Sequence, residues 1–179
     1  MNLPNKITLV RIFLIPVFML IAWLKLPYGD YLATFVFVIA ALTDTLDGYL
    51  ARRRQEVTRV GKLLDPLADK LLVSAALLIL VESGRLVSWV ALIIIGRELA
   101  VTGLRAIAAT DGIVISASPL GKLKTIFQII AICALLVEDY PFSLWHIPIG
   151  NITMSLAVIL TLASGIDYFL KSQELWSTS

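Results

Sequence analysis

Six runs of apolar residues, separated by short polar breaks, follow one another along the chain. They fall at about 7–24, 31–50, 65–82, 86–108, 120–137 and 149–170. Each is close to the ~20 residues that a helix needs to cross the hydrocarbon core of a bilayer. The breaks are rich in turn-forming residues: Leu26-Pro27-Tyr28-Gly29-Asp30, Glu82-Ser83-Gly84-Arg85, Thr110-Asp111-Gly112 and Glu138-Asp139-Tyr140-Pro141. Glycine and proline punctuate helices in this way. The pattern predicts an all-α integral membrane protein of six transmembrane helices, organised as one domain over residues 1–179. The first run leads into Leu24, Lys25, Leu26 and Pro27 with no small-residue cleavage site, so it reads as a retained span and not as a signal peptide.

Composition supports the same class. Hydrophobic residues make up 59% of the 179 positions and charged residues 16%, against roughly 45–50% and about 25% in soluble domains. The excess apolar surface has to face lipid. Six spans put both termini on one side, and Lys and Arg decide which. Of the fifteen Lys and Arg residues, twelve fall on the terminal side: Lys6, Arg11, Arg52, Arg53, Arg54, Arg59, Lys62, Lys70, Arg105, Lys122, Lys124 and Lys171. Lys25 and Arg85 fall on the other side, and Arg97 lies inside a run. Both termini are therefore expected in the cytoplasm of a cell whose inner membrane holds the protein, with the Arg-rich link between spans two and three facing the same way. Trp23, Trp89, Trp145 and Trp176 stand near expected span ends, as an interfacial belt requires. The lone Cys133 sits in an apolar run and excludes both an intrachain disulfide and a cysteine zinc site. The lone His146 falls on the outer side, away from the charged cluster. Nothing in the pattern suggests a nucleic-acid partner, because the basic residues are explained by topology and anionic headgroups.

The chemistry concentrates in residues 44–69. Asp44 and Asp47, three apart, share a helix face near the cytoplasmic end of span two. Asp65 and Asp69, four apart, share a face near the start of span three, where Asp65 before Pro66 suits a helix cap and Gly61 suits the entering turn. Any one of these aspartates has an ordinary explanation, as a cap or as a partner of Lys62, Lys70 or Arg52 to Arg54. Four together, on two helices joined by a short link, repel one another and are costly to desolvate near a bilayer. Hard divalent ions such as Mg²⁺ or Mn²⁺ would neutralise them, since such ions favour oxygen ligands shared with a substrate phosphate. Two ions can clamp the attacking and leaving oxygens of a phosphoryl displacement. Gly48, one turn after Asp44, either admits a substrate to the backbone or serves as a helix-packing notch.

The string from Asp44 to Asp69 fits D-x2-D-G-x2-A-R-x8-G-x3-D-x3-D at Asp44, Asp47, Gly48, Ala51, Arg52, Gly61, Asp65 and Asp69. It resembles the signature of the CDP-alcohol phosphotransferase family, and the six-span pattern extends the resemblance over nearly the whole chain. The resemblance implies two metal ions held by Asp44, Asp47, Asp65 and Asp69, with Asp69 also taking the proton from the acceptor hydroxyl. It implies that Gly48, Arg52 and Thr58 contact the CDP moiety of a lipid donor. The opening P-N-K-I-T-L-V-R is similar to that of bacterial members, so Asn5, Thr8 and Arg11 become candidates for the nucleotide pocket. For each of the three, an amphipathic helix start with a snorkelling Arg11 is the alternative. The family also suggests a homodimer.

A second charged stretch, G-R-E-L-A-V-T-G-L-R at 96–105, lies within span four. Ionisable groups inside a span carry a functional expectation. Arg97 and Arg105, eight apart, fall near one face, and Glu98 can hold Arg97 or answer another base. With Lys122 of G-K-L-K-T they form a candidate subsite for a phosphate on the acceptor. R-E-x3-T-G-L-R with G-K-x-K-T resembles the bacterial phosphatidylglycerophosphate synthase branch of the family. That implies CDP-diacylglycerol as donor and glycerol 3-phosphate as acceptor. Inositol phosphate, inositol and serine remain as alternative acceptors. A divalent-cation transporter remains as the alternative of another class.

Overall fold

The computed structural model describes residues 3–54, 59–110 and 118–171, with side chains described for 7–43, 66–109 and 118–170. The described chain is helical throughout, with no strand among these residues. Six helices follow in order: α1 (Leu3–Trp23), α2 (Gly29–Arg54), α3 (Arg59–Glu82), α4 (Ser88–Thr110), α5 (Pro119–Leu136) and α6 (Ile149–Lys171). A short 3₁₀ turn over Phe142–Trp145, absent from the sequence expectation, precedes α6. All six apolar runs thus become helices. Among the described residues, α5 and α6 are long and apolar enough to cross a membrane, and Ile7–Trp23 and Gly29–Thr43 form shorter apolar stretches.

Two compact units divide the chain, Met1–Arg85 and Leu86–Ser179. In the first, α1 packs on both α2 and α3, and α2 on α3. The faces in contact repeat at spacings of three and four: Thr8, Arg11, Ile15 and Phe18 on α1, and Ala33, Phe37 and Ala40 on α2. This is the spacing that keeps side chains on one helix face. Phe18 and Phe37, both fully buried, meet with ring centroids 5.8 Å apart. In the second unit, α6 packs on α5 and on α4. Its buried stripe runs through Gly150, Met154, Ala157, Thr161, Ser164, Gly165 and Tyr168, mostly small residues that let helices approach closely.

The helix ends differ from expectation in two places. Helix α3 begins at Arg59, so Asp65 lies within the helix instead of capping it, Gly61 is in the first turn, and Pro66 is internal. Helix α2 likewise continues through Ala51–Arg54 beyond its apolar run. Ala, Leu, Lys and Arg are strong helix formers, so the helices outlast the apolar pattern. At the other end of α3, Gly84 adopts φ 73°. Arg85 N–H donates to the Leu80 carbonyl at 2.9 Å and Gly84 N–H to that of Val81 at 3.0 Å. This pairing ends a helix on a left-handed residue, a conformation that suits glycine.

Candidate active site

The signature occupies the ends of α2 and α3 that flank residues 55–58. Asp44 and Asp47 stand ten and seven residues before Arg54, the last residue of α2; Asp65 and Asp69 stand six and ten residues after Arg59, the first of α3. At 1.5 Å per residue, both pairs lie about 9–15 Å in from the helix ends. The two helices pack against each other, and each pair stands at a similar distance from its own helix end. The aspartates are therefore two to three turns inside their helices, deeper than the expected span ends.

Of the residues singled out for metal and donor, Asp69 and Thr8 have described side chains. Asp69 is half-buried, next to the fully buried Ala68. Thr8 is fully buried on the packed face of α1. The side chains of Asp44, Asp47, Asp65, Gly48, Arg52 and Asn5, and the whole of Thr58, lie outside the described residues. Among the described side chains no group of three or more His, Cys, Asp or Glu is placed to hold a metal. Two of these aspartates lie on each of two helices that pack against each other, and carboxylates are the ligand type that hard divalent ions favour.

Arg11 is the residue of this unit most changed by the structure. It is fully buried, not snorkelling to a surface. Its Nε lies 3.5 Å from Thr43 Oγ1 on α2, immediately before Asp44. Thr43 in turn donates to the Ala40 carbonyl at 2.7 Å. A cation is thus enclosed where α1 meets the carboxylate-bearing end of α2. Its in-phase spacing with Thr8, Ile15 and Phe18 was the available signal.

The second unit carries the acceptor candidates. Ala91, Ile94, Val101, Leu104 and Ala108 form the buried face of α4, and Arg97 and Glu98 fill the gap in that repeat. Arg97 Nη1 donates to Glu98 Oε1 at 2.7 Å, and Nη2 donates to Ser164 Oγ on α6 at 2.8 Å. Its guanidinium lies over the Tyr168 ring, 5.4 Å from the centroid. The Tyr168 hydroxyl accepts the Ser118 N–H at 3.0 Å, at the residue whose own side chain caps α5 through Gly121 N–H. Lys124 of α5, also buried, donates to the same Glu98 Oε1. The structure therefore joins Arg97 to Lys124 through Glu98. Arg105 and Lys122 are exposed, and no contact among Arg97, Arg105 and Lys122 occurs in the described residues. Lys124, read from the sequence as a surface anchor, is in phase with the buried Gln128, Ala131, Ile132 and Leu135, whereas Lys122 is not.

Among the described residues the protein is helical, with a pair of aspartates on each of two helices that pack together. The chain belongs to the CDP-alcohol phosphatidyltransferase family, which it matches over residues 1–163. It is 50% identical, over 99% of its length and 98% of the relative's, to the CDP-diacylglycerol–glycerol-3-phosphate 3-phosphatidyltransferase of Bacillus subtilis. Enzymes with the same name from Pseudomonas fluorescens and Rickettsia bellii are 42% and 37% identical, each over 94% of this chain and over 88% and 93% of their own length.

Proposed function

We propose that this protein transfers the phosphatidyl group of CDP-diacylglycerol to sn-glycerol 3-phosphate, releasing CMP and forming phosphatidylglycerophosphate. The observation that carries the reading is the end-to-end similarity to enzymes of that name, 50% identical in the Bacillus subtilis case. The eight signature positions support it, since all are present and their two aspartate pairs lie on helices that pack against each other.

Asp44, Asp47, Asp65 and Asp69 would hold a pair of Mg²⁺ or Mn²⁺ ions, which when bound neutralise the carboxylates and the donor pyrophosphate. Asp69 removes the proton from the acceptor hydroxyl. The acceptor oxygen then forms a bond to the lipid-linked phosphorus as the bond from that phosphorus to the CMP oxygen breaks. General-base assistance of this kind is worth typically 10²–10⁴-fold. Gly48, Arg52, Thr58, Asn5 and Thr8 contact the CDP-lipid. Arg97, Arg105 and Lys122 are assigned to the phosphate of the acceptor, where guanidinium groups give planar, paired hydrogen bonds.

All six helices are read as crossing the bacterial cytoplasmic membrane as one domain of residues 1–179, with both termini and the carboxylates on the cytoplasmic side, in a homodimer. Supporting the insertion, large apolar side chains point outward along the helices, among them Phe13, Phe35, Leu99, Ile126 and Ile159. The exposed Trp23, Trp89 and Trp145 stand at helix ends or in the adjoining turn, where amphipathic rings meet headgroups.

The test is CMP release by purified protein given CDP-diacylglycerol and Mg²⁺ or Mn²⁺, with glycerol 3-phosphate, inositol phosphate, inositol and serine offered separately. Release with glycerol 3-phosphate alone is expected. Release with another alcohol instead would overturn the acceptor assignment, and none with any would overturn the reaction.

A further inference from the structure

Glu98 does more than a structural ion pair requires. One of its oxygens, Oε1, accepts from cations on two helices, Arg97 of α4 and Lys124 of α5. Both cations are taken largely out of solvent, with side-chain exposures of 12% for Arg97 and 4% for Lys124. Arg97 is fixed on its far side by Ser164 and Tyr168 of α6. A single neutralised pair would be enough to bury one arginine. Burying a second cation beside it adds a further desolvation cost.

Two buried donors beside this cluster lack partners among the described residues: Arg97 Nε and Gln128 Nε2. Gln128 is 2% exposed and lies one turn beyond Lys124 on the packed face of α5. Buried donors are almost always hydrogen-bonded, so these two, one on Arg97 itself and one a turn from Lys124, leave hydrogen-bonding capacity for an acceptor-rich group. A phosphate monoester, dianionic and offering several oxygens, meets that description better than a neutral alcohol or a carboxylate.

We propose that Glu98 is a positioning residue for the acceptor substrate: it holds Arg97 and Lys124 side by side as one anchor for the acceptor's phosphate. The inference rests on the acceptor reading given above and extends it. Glu98 does not touch substrate; it keeps two mutually repelling cations at one oxygen so that a phosphate meets both already oriented. Lys124 becomes a member of the anchor by this route, and Gln128 supplies a neutral donor beside it. The arrangement selects for a phosphorylated acceptor, since an alcohol without the phosphate leaves the anchor unanswered.

The experiment measures KM for glycerol 3-phosphate, KM for CDP-diacylglycerol, kcat and thermal midpoint for the full-length protein in detergent. The variants are Glu98→Gln, Lys124→Met, the double variant and Glu98→Asp. Glu98→Gln and Lys124→Met should each raise KM for glycerol 3-phosphate at least tenfold, with KM for CDP-diacylglycerol changed less than twofold. The double variant should be no worse than the poorer single one, because both break the same anchor. Glu98→Asp, which keeps the charge, should recover most of the loss. Inorganic phosphate, used as a competitor against glycerol 3-phosphate, should weaken by a similar factor in the first two variants. Equal changes in both KM values, an effect on kcat alone, or a folded Lys124→Met protein with unchanged KM for glycerol 3-phosphate would overturn the proposal. Loss of folding in both Glu98→Gln and Lys124→Met would make the cluster a brace and overturn it as well. If the unaltered protein used an unphosphorylated acceptor in place of glycerol 3-phosphate, the acceptor reading itself would fail, an outcome visible before any variant is made.

Discussion

Of the described glycines, Gly150 leaves the least room for a side chain, and replacing it tests whether the packing of α5 against α6 is correct. An added Cβ would stand 2.7 Å from Leu135 Cδ2, 2.8 Å from Leu135 Cγ and 2.9 Å from Asp139 Oδ1. Carbon atoms in contact normally lie about 3.5–4.0 Å apart, so the overlap with Leu135 approaches an ångström. Leu135 is itself 5% exposed and has little room to turn away. The carboxylate of Asp139 also accepts the Gly150 N–H at 2.6 Å, and a shift that relieves the clash would stretch this bond. Alanine is the better helix former by up to about 1 kcal/mol, so propensity alone favours Gly150→Ala. Overpacking costs about 1–3 kcal/mol, and the strained charged hydrogen bond adds to it. The balance is a loss of about 2 kcal/mol. With a fall of about 2–4 °C per kcal/mol for a chain of this size, the thermal midpoint in detergent should drop by about 4–8 °C. Leu135→Val, which shortens the obstructing side chain, should recover part of that loss when combined with Gly150→Ala. A Gly150→Ala protein as stable as the original, or a double variant worse than the sum of its parts, would refute the packing argument.

Three further outcomes follow from the same reasoning. Asp69→Asn should leave the thermal midpoint nearly unchanged and lower CMP release by 10²-fold or more, since a proton acceptor worth about 10²–10⁴ is removed. Chelation with EDTA should abolish CMP release, and added Mg²⁺ or Mn²⁺ should restore it, measured on the same preparation. The Arg85–Asp30 pair is short, at 2.6 Å, but Asp30 has 41% of its side chain exposed. Screening by solvent leaves such pairs with a median value of about 0–1 kcal/mol, so Asp30→Asn should shift the midpoint by no more than about 4 °C.

The fold was legible in the sequence where apolar length alone decides it. Each of the six runs became a helix, because a bilayer-length apolar stretch has few alternatives. The helix ends were less legible, since Ala51–Arg54 and Arg59–Leu64 continue α2 and α3 through residues that a hydropathy pattern reads as loop. Asp65 was accordingly expected as a cap and is internal. The four aspartates stand out in the sequence because a repulsive cluster at helical spacing has few structural uses, and their role as ligands belongs to the proposed function. Which lysine of G-K-L-K-T points inward was decided by phase, and Lys124 shares the face of Gln128 and Leu135 while Lys122 does not. Positive-inside counting treats both as surface charges and cannot separate them. The sharing of Glu98 between two cations was beyond sequence, because it depends on α4 and α5 meeting at that level.

Arg11 shows the same limit and yields a sharper test. Its place near the start of the first helix left two readings, a nucleotide-pocket residue or a side chain reaching for headgroups, and it is fully buried beside Thr43. A snorkelling arginine contributes its stem to packing and keeps its charge in water, so Arg11→Met would be close to neutral on that reading. In a buried setting the guanidinium takes part in a hydrogen-bonded arrangement whose partners are left behind when it is removed. Removing one side of such an arrangement costs about 1–3 kcal/mol. The expected fall in thermal midpoint is then about 2–12 °C, at about 2–4 °C per kcal/mol. Arg11→Lys should lie between the two, because a lysine keeps the charge but not the planar fork. Thr43→Val should cost no more than about 1.5 kcal/mol, the value of one neutral hydrogen bond, which at 3.5 Å is a long one. The order Met, then Lys, then Thr43→Val in severity would place the charge of Arg11 at the junction of α1 and α2. A midpoint for Arg11→Met within 2 °C of the original would return it to the surface, and with it the packing of α1 against the segment that leads into Asp44 would have to be redrawn.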